Sequence, residues 1–419
     1  MRRRELLAAG LTLASAGGSG PALAQQQAQS EPVRVALISP TTGALAAFGV
    51  TNTYVHQLFA ERLAAGIPTR SLGQRPVLLE LHDAGSTPTQ AAAAARAAAD
   101  QGAHLVLASA TPEVCNPVSD VCEAVGLPCV TTVVPWQAWF YGRKGERNRG
   151  FQWTYHFFVG LEDFASIYSS LFARARLGEL VGGLWPDDID GEAFLSVMPQ
   201  AMAQEGLRLV DPGRLQMAAP DYTGIATRLR DAGVQMVTGV LPPPVALEFF
   251  AAARKVGYQP RMASIAKAFP FPETVAELQG SGMALANEVW WSPAWPFRSG
   301  WTDASAAQVV QEYESRTKRP WVQTLGFSHA LVDLAVQLVQ ETPTLSRQAL
   351  VQTLRRIKAK TVLGPLNFSG RFPSLNVCSV PAVGGLWQRD AQGRWTLEVV
   401  DNARSSFIPV TTRLPQGLG

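Results

Sequence analysis

The stretch Leu105–Thr132, LVLASATPEVCNPVSDVCEAVGLPCVTT, restricts the possible folds more than any other part of the chain. Its apolar run, Leu105 to Ala108, predicts a fully buried strand that ends in three small residues, Ser109, Ala110 and Thr111. Pro112 suits the first turn of a helix, where a missing N–H costs nothing, and Glu113 complements the positive end of the helix dipole. Val114, Val118, Val121 and Val125 face inward, Gly126 and Pro128 stop the helix, and Cys129 to Val134 predicts a second buried strand. This is one βαβ unit, and it commits the chain to a parallel sheet. Its strand end and helix start offer free N–H groups, the hydroxyls of Ser109 and Thr111, and a favourable dipole: a cradle for an anion or carboxylate. Turns of this shape occur in every parallel sheet, and most hold nothing. Here the next strand also ends in hydroxyls, Thr131 and Thr132, followed by Trp136, Trp139 and Phe140, so two adjacent strand ends read as a lined crevice.

At 419 residues the chain exceeds one ordinary core, and two lobes are expected. A hydrophobic content of 47% with 16% charged residues describes an ordered globular protein. The net charge of +3 comes without clustered Lys and Arg, which argues against nucleic acid as a partner. Residues 1–24 read as an export signal: basic Arg2–Arg4, the apolar run Leu6 to Ala16, and an A-x-A site at Ala22–Ala24. Arg3, Arg4, Leu6 and Leu7 loosely fit a twin-arginine signal, and ordinary secretion fits as well. No cysteine follows the apolar run to take a lipid, and no later stretch is apolar enough to span a membrane. The expected product is a soluble periplasmic protein. In that oxidising compartment Cys122 and Cys129 are the favoured disulfide pair, with Cys378 free or joined to Cys115. Cys115 and Cys122 stand two helical turns apart, about 10 Å, too far to bridge. Small buried thiols are the alternative.

In order along the chain, Val33 to Ser39 reads as the first strand, followed by a loop around Phe48 and a helix from Asn52 to Ala65. Pro76 to His82 is a strand and Thr87 to Gly102 an alanine-rich helix. The rhythm is α/β, a doubly wound Rossmann-like lobe, and after the polar break RKGERNRG at 143–150 it repeats in a second. Residues 33–152 with 283–365 are assigned to the first lobe, and 153–282 with 366–419 to the second. The first loop has neither G-x-G-x-x-G nor a P-loop lysine. The histidines, His56, His82, His104, His156 and His329, lack metal spacing, and no G-x-S-x-G offers a hydrolase serine, so neither an enzyme nor a cofactor is expected. Asp187, Asp188 and Asp190 form a solvated turn or, less simply, a cation loop.

Taken together, VRVALISPTTGALAAFG, ELHDAGSTPTQAAAAARAAAD, SDVCEAVGLPCVTT, YTGIATRLRDAGVQMVTG and GFSHALVDLAVQLV resemble the type I periplasmic binding proteins of ABC importers, specifically the Leu/Ile/Val-binding group. The resemblance covers essentially all of the chain after the signal. It implies two lobes joined by three crossing strands, closing on a small-molecule ligand, with an ABC permease as membrane partner. It places the ligand's α-carboxylate at Ser109, Ala110 and Thr111, and further contacts at Thr131 and Thr132, with Pro135 and Trp136 just beyond. Phe48 takes the place of the family's first-loop aromatic. Second-lobe contacts fall near Asp188, Ile189 and Asp190, and near Leu241 and Pro242.

One position departs from that pattern. The resemblance calls for an acid, to pair with a ligand ammonium, where the chain reads SIAKAFPF and Lys267 is the sole charge. A lysine facing an ammonium would be repulsive and poorly solvated, whereas a carboxylate would be welcome. Lys267 pointing to solvent, or neutralising Asp188 or Asp190, is the alternative. Trp136 and Trp185 each follow a strand end and are the favoured aromatic ligand contacts. The expectation is a monomeric, non-enzymatic periplasmic protein that binds an organic or aromatic acid, an amino acid or an amide. A periplasmic sensor of the amide or urea type is the competing reading.

Overall fold

The computed structural model describes residues 31–278, 282–415 and Gly417, so the expected signal at 1–24 lies outside the described residues. Val33–Ser39 pairs in parallel with Val77–Asp83 on one side and with Leu105–Ser109 on the other. Cys129–Thr132, Thr154–Phe157 and Val377–Cys378 extend the sheet outward, again in parallel, giving six strands. All five residues of Leu105–Ser109 and all four of Cys129–Thr132 are buried, as a strand covered on both faces must be. The helices Pro88–Asp100 and Pro112–Val125 pack together on this sheet, and Val50–Ala64 packs with the largely buried Thr324–Glu341.

The second sheet has seven strands, in the order Trp395–Asp401, Val383–Arg389, Ala284–Val289, Met262–Ala266, Met236–Val240, Leu180–Leu184, Arg208–Val210. The first two are antiparallel additions and the remaining five run parallel. The chain therefore passes between lobes after Phe157, after Val289 and after Cys378. Each passage lies beyond the boundary read from sequence. Thr154–Phe157 belongs to the first sheet and Ala284–Val289 to the second, and Val377–Cys378 is still first-lobe. A crossing segment changes lobe only once its hydrogen-bond ladder ends, and the hydrophobic pattern reveals the strand without its partner. At the far end of the chain, Gly417 N–H donates to Ala175 O in the second lobe at 3.1 Å.

The four cysteines are buried free thiols, so the expected Cys122–Cys129 bridge is not formed. Burial raises the Cys129 thiol far above its ordinary pKa, and Cys122 beside it adds to the rise. Both serve as small apolar packing groups where helix Pro112–Val125 meets the sheet. Among the described residues no helix is long and apolar enough to cross a membrane, and no His, Cys, Asp and Glu group could hold a metal.

Candidate functional site

The carboxyl ends of the two parallel sheets face each other, the place where open α/β sheets bind ligands. On the first lobe, Thr111 is the backbone N-cap of helix Pro112–Val125, but its hydroxyl makes no capping bond and is buried without a partner. Ser109 Oγ is likewise buried and unpartnered. Ser109 itself is fixed from behind, its carbonyl accepting from Asn52 Nδ2 at 3.2 Å while the same nitrogen donates to Ser39 Oγ at 2.9 Å.

Beyond each of the two facing strand ends, a residue with a side chain adopts the left-handed region: Val133, with φ of 70°, after Cys129–Thr132, and Lys267, with φ of 68°, after Met262–Ala266. For a β-branched valine this is a true outlier, and each such residue costs about 1–3 kcal/mol that the surrounding structure must offset. Both side chains are thereby aimed into the same space.

Lys267 Nζ lies 3.3 Å from Glu113 Oε1, at the first turn of the first-lobe helix, and closer still to Asp190 Oδ2 of the second. Burial disfavours the lysine charge, but the two carboxylates outweigh it and drive its pKa up. Burial likewise opposes the Glu113 charge, yet the Lys267 ammonium holds the Glu113 pKa below the usual carboxylate range. One ammonium therefore bridges both lobes.

The cavity between the lobes measures about 40 Å³, the space of a few waters, so a solute enters by parting them. Phe48, Thr111, Val133 and Pro135 line it from the first lobe, and Phe194, Val240, Ala266 and Lys267 from the second. Phe158 and Trp290 come from the connections themselves, and Glu288 from the second-lobe strand that leads into one. Glu288 is 1% exposed; its oxygens accept from Trp290 Nε1 at 3.0 Å and from the Tyr168 hydroxyl. Burial pushes its carboxyl up to about 7, against the pull of those donors.

Of the expected site residues, the structure brings Phe48, Thr111, Pro135, Asp190 and Lys267 together at the cavity. The others have different work. Ser109 and Ala110 are fully buried behind Thr111. The Thr131 hydroxyl pairs with His156 Nδ1 at 2.8 Å, and that of Thr132 donates to Phe157 O. Trp136 Nε1 donates to Glu162 Oε1 at 3.0 Å, tying the first lobe to the helix that opens the second. Trp185 does not reach the cleft: its indole folds back over Gly183 and stacks on Phe194, 6.3 Å between ring centroids. Asp188 is a helix cap, Oδ1 accepting from the N–H groups of Asp190 and Gly191 at 3.0 Å each. Leu241 is buried, its N–H donating to Ala266 O.

Sequence reasoning missed Phe158, Phe164 and Glu288 altogether. Two of them lie at crossings, and the one signal in the chain was an acid, Glu288, inside a buried strand that is followed by two tryptophans.

A family model for periplasmic binding proteins matches residues 32–379. A leucine-binding protein from Thermotoga maritima superposes with a TM-score of 0.71 at 14% identity, over 89% of this chain and 99% of that one. An ABC-transporter solute-binding protein from Rhodopseudomonas palustris, in complex with 3,4-dihydroxybenzoic acid, gives 0.70 at 13% identity, over 88% and 98%. A substrate-binding protein from Desulfitobacterium hafniense in complex with Leu gives 0.62 at 16%, over 88% and 100%. Among curated proteins nothing matches. With two parallel-sheet lobes, three connections and a cleft at the strand ends, and with the family model covering most of its length, this chain belongs to the periplasmic binding protein family.

Proposed function

We propose that this chain is the periplasmic substrate-binding component of an ABC importer, acting as a monomer, and that it closes on a small carboxylate-bearing solute. The family is one of solute-binding proteins rather than enzymes. The observation that carries the ligand reading is the polar end of the cavity, where Thr111 presents a buried hydroxyl without a partner and Lys267 stands opposite it. A carboxylate there meets a hydroxyl, the start of a helix and an ammonium. It competes with Glu113 for Lys267, so ligand binding exchanges a partner within the chain for one outside it. The apolar and aromatic walls, Phe48, Phe158, Phe164 and Phe194, suit a flat or branched hydrocarbon body. Two structural relatives bind solutes of these kinds, dihydroxybenzoate and leucine.

The test is a thermal-shift and calorimetric screen of residues 25–419 against amino acids, aliphatic and aromatic acids, amides and urea. A ligand at about a hundred times its Kd stabilises the fold by about 2.7 kcal/mol, a visible rise in Tm. Thr111→Ala and Lys267→Ala are each expected to weaken the best acid about tenfold or more, roughly 1.4 kcal/mol, without unfolding the protein. Amides or urea shifting Tm while no carboxylate does would overturn this reading.

A further inference from the structure

The net charge of the whole chain, +3, conceals a one-sided distribution. Between Glu341 and Asp390 the sequence holds seven lysines and arginines and no acid. The fold gathers most of them at and beside the pole of the first lobe opposite the cleft. Helix Pro112–Val125 starts at the cleft and ends at this pole, where Arg347 Nη1 donates to Val125 O at 2.9 Å. The amino end of strand Thr154–Phe157 lies here too, preceded by the basic segment 143–150.

Three stretches of chain bring cations to this face. Arg355 shares a surface hollow with Lys144 and Arg149, and its Nε donates to the neutral Tyr155 hydroxyl at 3.0 Å. Arg356 and Lys358 share the next hollow with Glu341, which Arg70 already neutralises at 2.9 Å. Lys358–Thr361 pairs antiparallel with Gly364–Asn367, and in this hairpin Ala359 is buried while Lys358 and Lys360 both project to solvent. The loop that follows exposes Arg371 and Phe372, the latter to 86%. Asn376 fastens that loop beside Arg149, its side chain accepting from the Phe151 N–H and donating to Phe151 O at 2.9 Å each. Among the described residues none of these unneutralised cations is paired with a carboxylate: of the two acids in the first hollow, Glu123 accepts from the N–H groups of Gln152 and Trp153 and from the Thr154 hydroxyl, which leaves Glu146 alone to face them.

Like charges held close together repel, and an anionic partner relieves that repulsion. A broad exposed face of cations suits a surface of many negative charges better than one small anion. Phe372 selects among such surfaces. An aromatic ring standing free in water among cations is the pairing that seats a protein at the headgroup level of a bilayer. We infer that this pole of the first lobe is a docking surface for an anionic lipid bilayer, with Lys358, Lys360 and Arg371 over the headgroups and Phe372 inserted between them. The contact goes beyond solute capture and does not depend on which solute binds. It leaves the cleft free and confines the protein to the membrane in which a permease sits. Because the charges are exposed, it is reversible and weakens with salt, the screening length being about 8 Å at physiological ionic strength.

The experiment is co-sedimentation of residues 25–419, without an affinity tag, with vesicles of phosphatidylcholine alone and with vesicles containing about one third phosphatidylglycerol. The expected result is binding to the anionic vesicles only, weakened about tenfold or more when salt is raised from about 0.05 M to about 0.5 M. The triple variant Lys358→Gln, Lys360→Gln, Arg371→Gln is expected to lower partitioning about a hundredfold, and Phe372→Ala several-fold, with Tm unchanged in each. Phe372→Ala, at an exposed loop position, supplies the comparison if the triple variant does not fold. Wild type that ignores both kinds of vesicle, or binds both alike, overturns the proposal without any variant. Folded variants that bind anionic vesicles as well as wild type overturn the assignment to this face. Double-stranded DNA bound by wild type at about 0.15 M salt, where anionic vesicles are not, would give the face to a nucleic acid and equally overturn it. None of these readouts involves the cleft, so their failure leaves the solute reading standing.

Discussion

Protonation of Glu288 is coupled to folding. Its carboxyl is raised from an ordinary 4.5 to about 7 by burial, so the folded protein holds the proton more tightly than the unfolded chain does. That contribution is complete below about pH 4.5 and is lost as pH rises through about 7. Glu288→Gln cannot ionise, so denaturant titrations are expected to move in favour of the variant by up to about 3 kcal/mol between pH 4.5 and pH 8. A gap that stays flat across that range would mean that the carboxyl titrates normally in the fold. Residues such as this one mark the limit of reading a sequence. Thr111, Phe48 and Lys267 were legible as cleft residues because each follows a strand or sits in the first loop, where position alone decides exposure to the cleft. What Lys267 does there was not legible, since its partners Glu113 and Asp190 are 154 and 77 positions away and meet it only after two lobes have folded.

At the scale of elements, strands and helices were readable because burial on both faces leaves continuous apolar runs, as in Leu105–Ser109, and because Pro112 and Gly126 begin and stop a helix where local chemistry puts them. The destination of a large side chain at a strand end was not. Trp185 follows a strand into the cleft region, yet Gly183, two residues earlier on the same face, leaves the space that the indole fills. A Cβ at position 183 would stand 2.1 Å from Trp185 Nε1, so Gly183→Ala must expel the ring or shift the strand. The expected cost is about 1–3 kcal/mol in chemical denaturation, accompanied by a change in tryptophan fluorescence as the ring leaves Phe194. An unchanged spectrum and stability would show that the indole has another place to go. The same logic explains Asp188: an acid two and three residues before exposed helix N–H groups is claimed by them before any ligand arrives.

For the whole molecule, closure depends on what spans the cleft. The Lys267–Glu113 pair joins the lobes without any solute, so part of the closing energy is internal. Glu113→Gln removes that tie and is expected to shift the solute-free protein toward the open form, seen as a larger radius of gyration in small-angle scattering, while saturating solute restores the compact state. Equal radii for wild type and variant without solute would assign the tie no part in closure. The lobe boundaries were the poorest part of the sequence reading, because a segment that leaves one sheet for another carries the same apolar pattern on both sides of the joint. That topology has a mechanical consequence. The first described strand, Val33–Ser39, lies in one lobe and the last, Trp395–Asp401, in the other, so tension applied between the two ends loads the three connections before it loads either sheet. Under force the protein should therefore lengthen in a small reversible step, sensitive to bound solute, well before the first sheet ruptures.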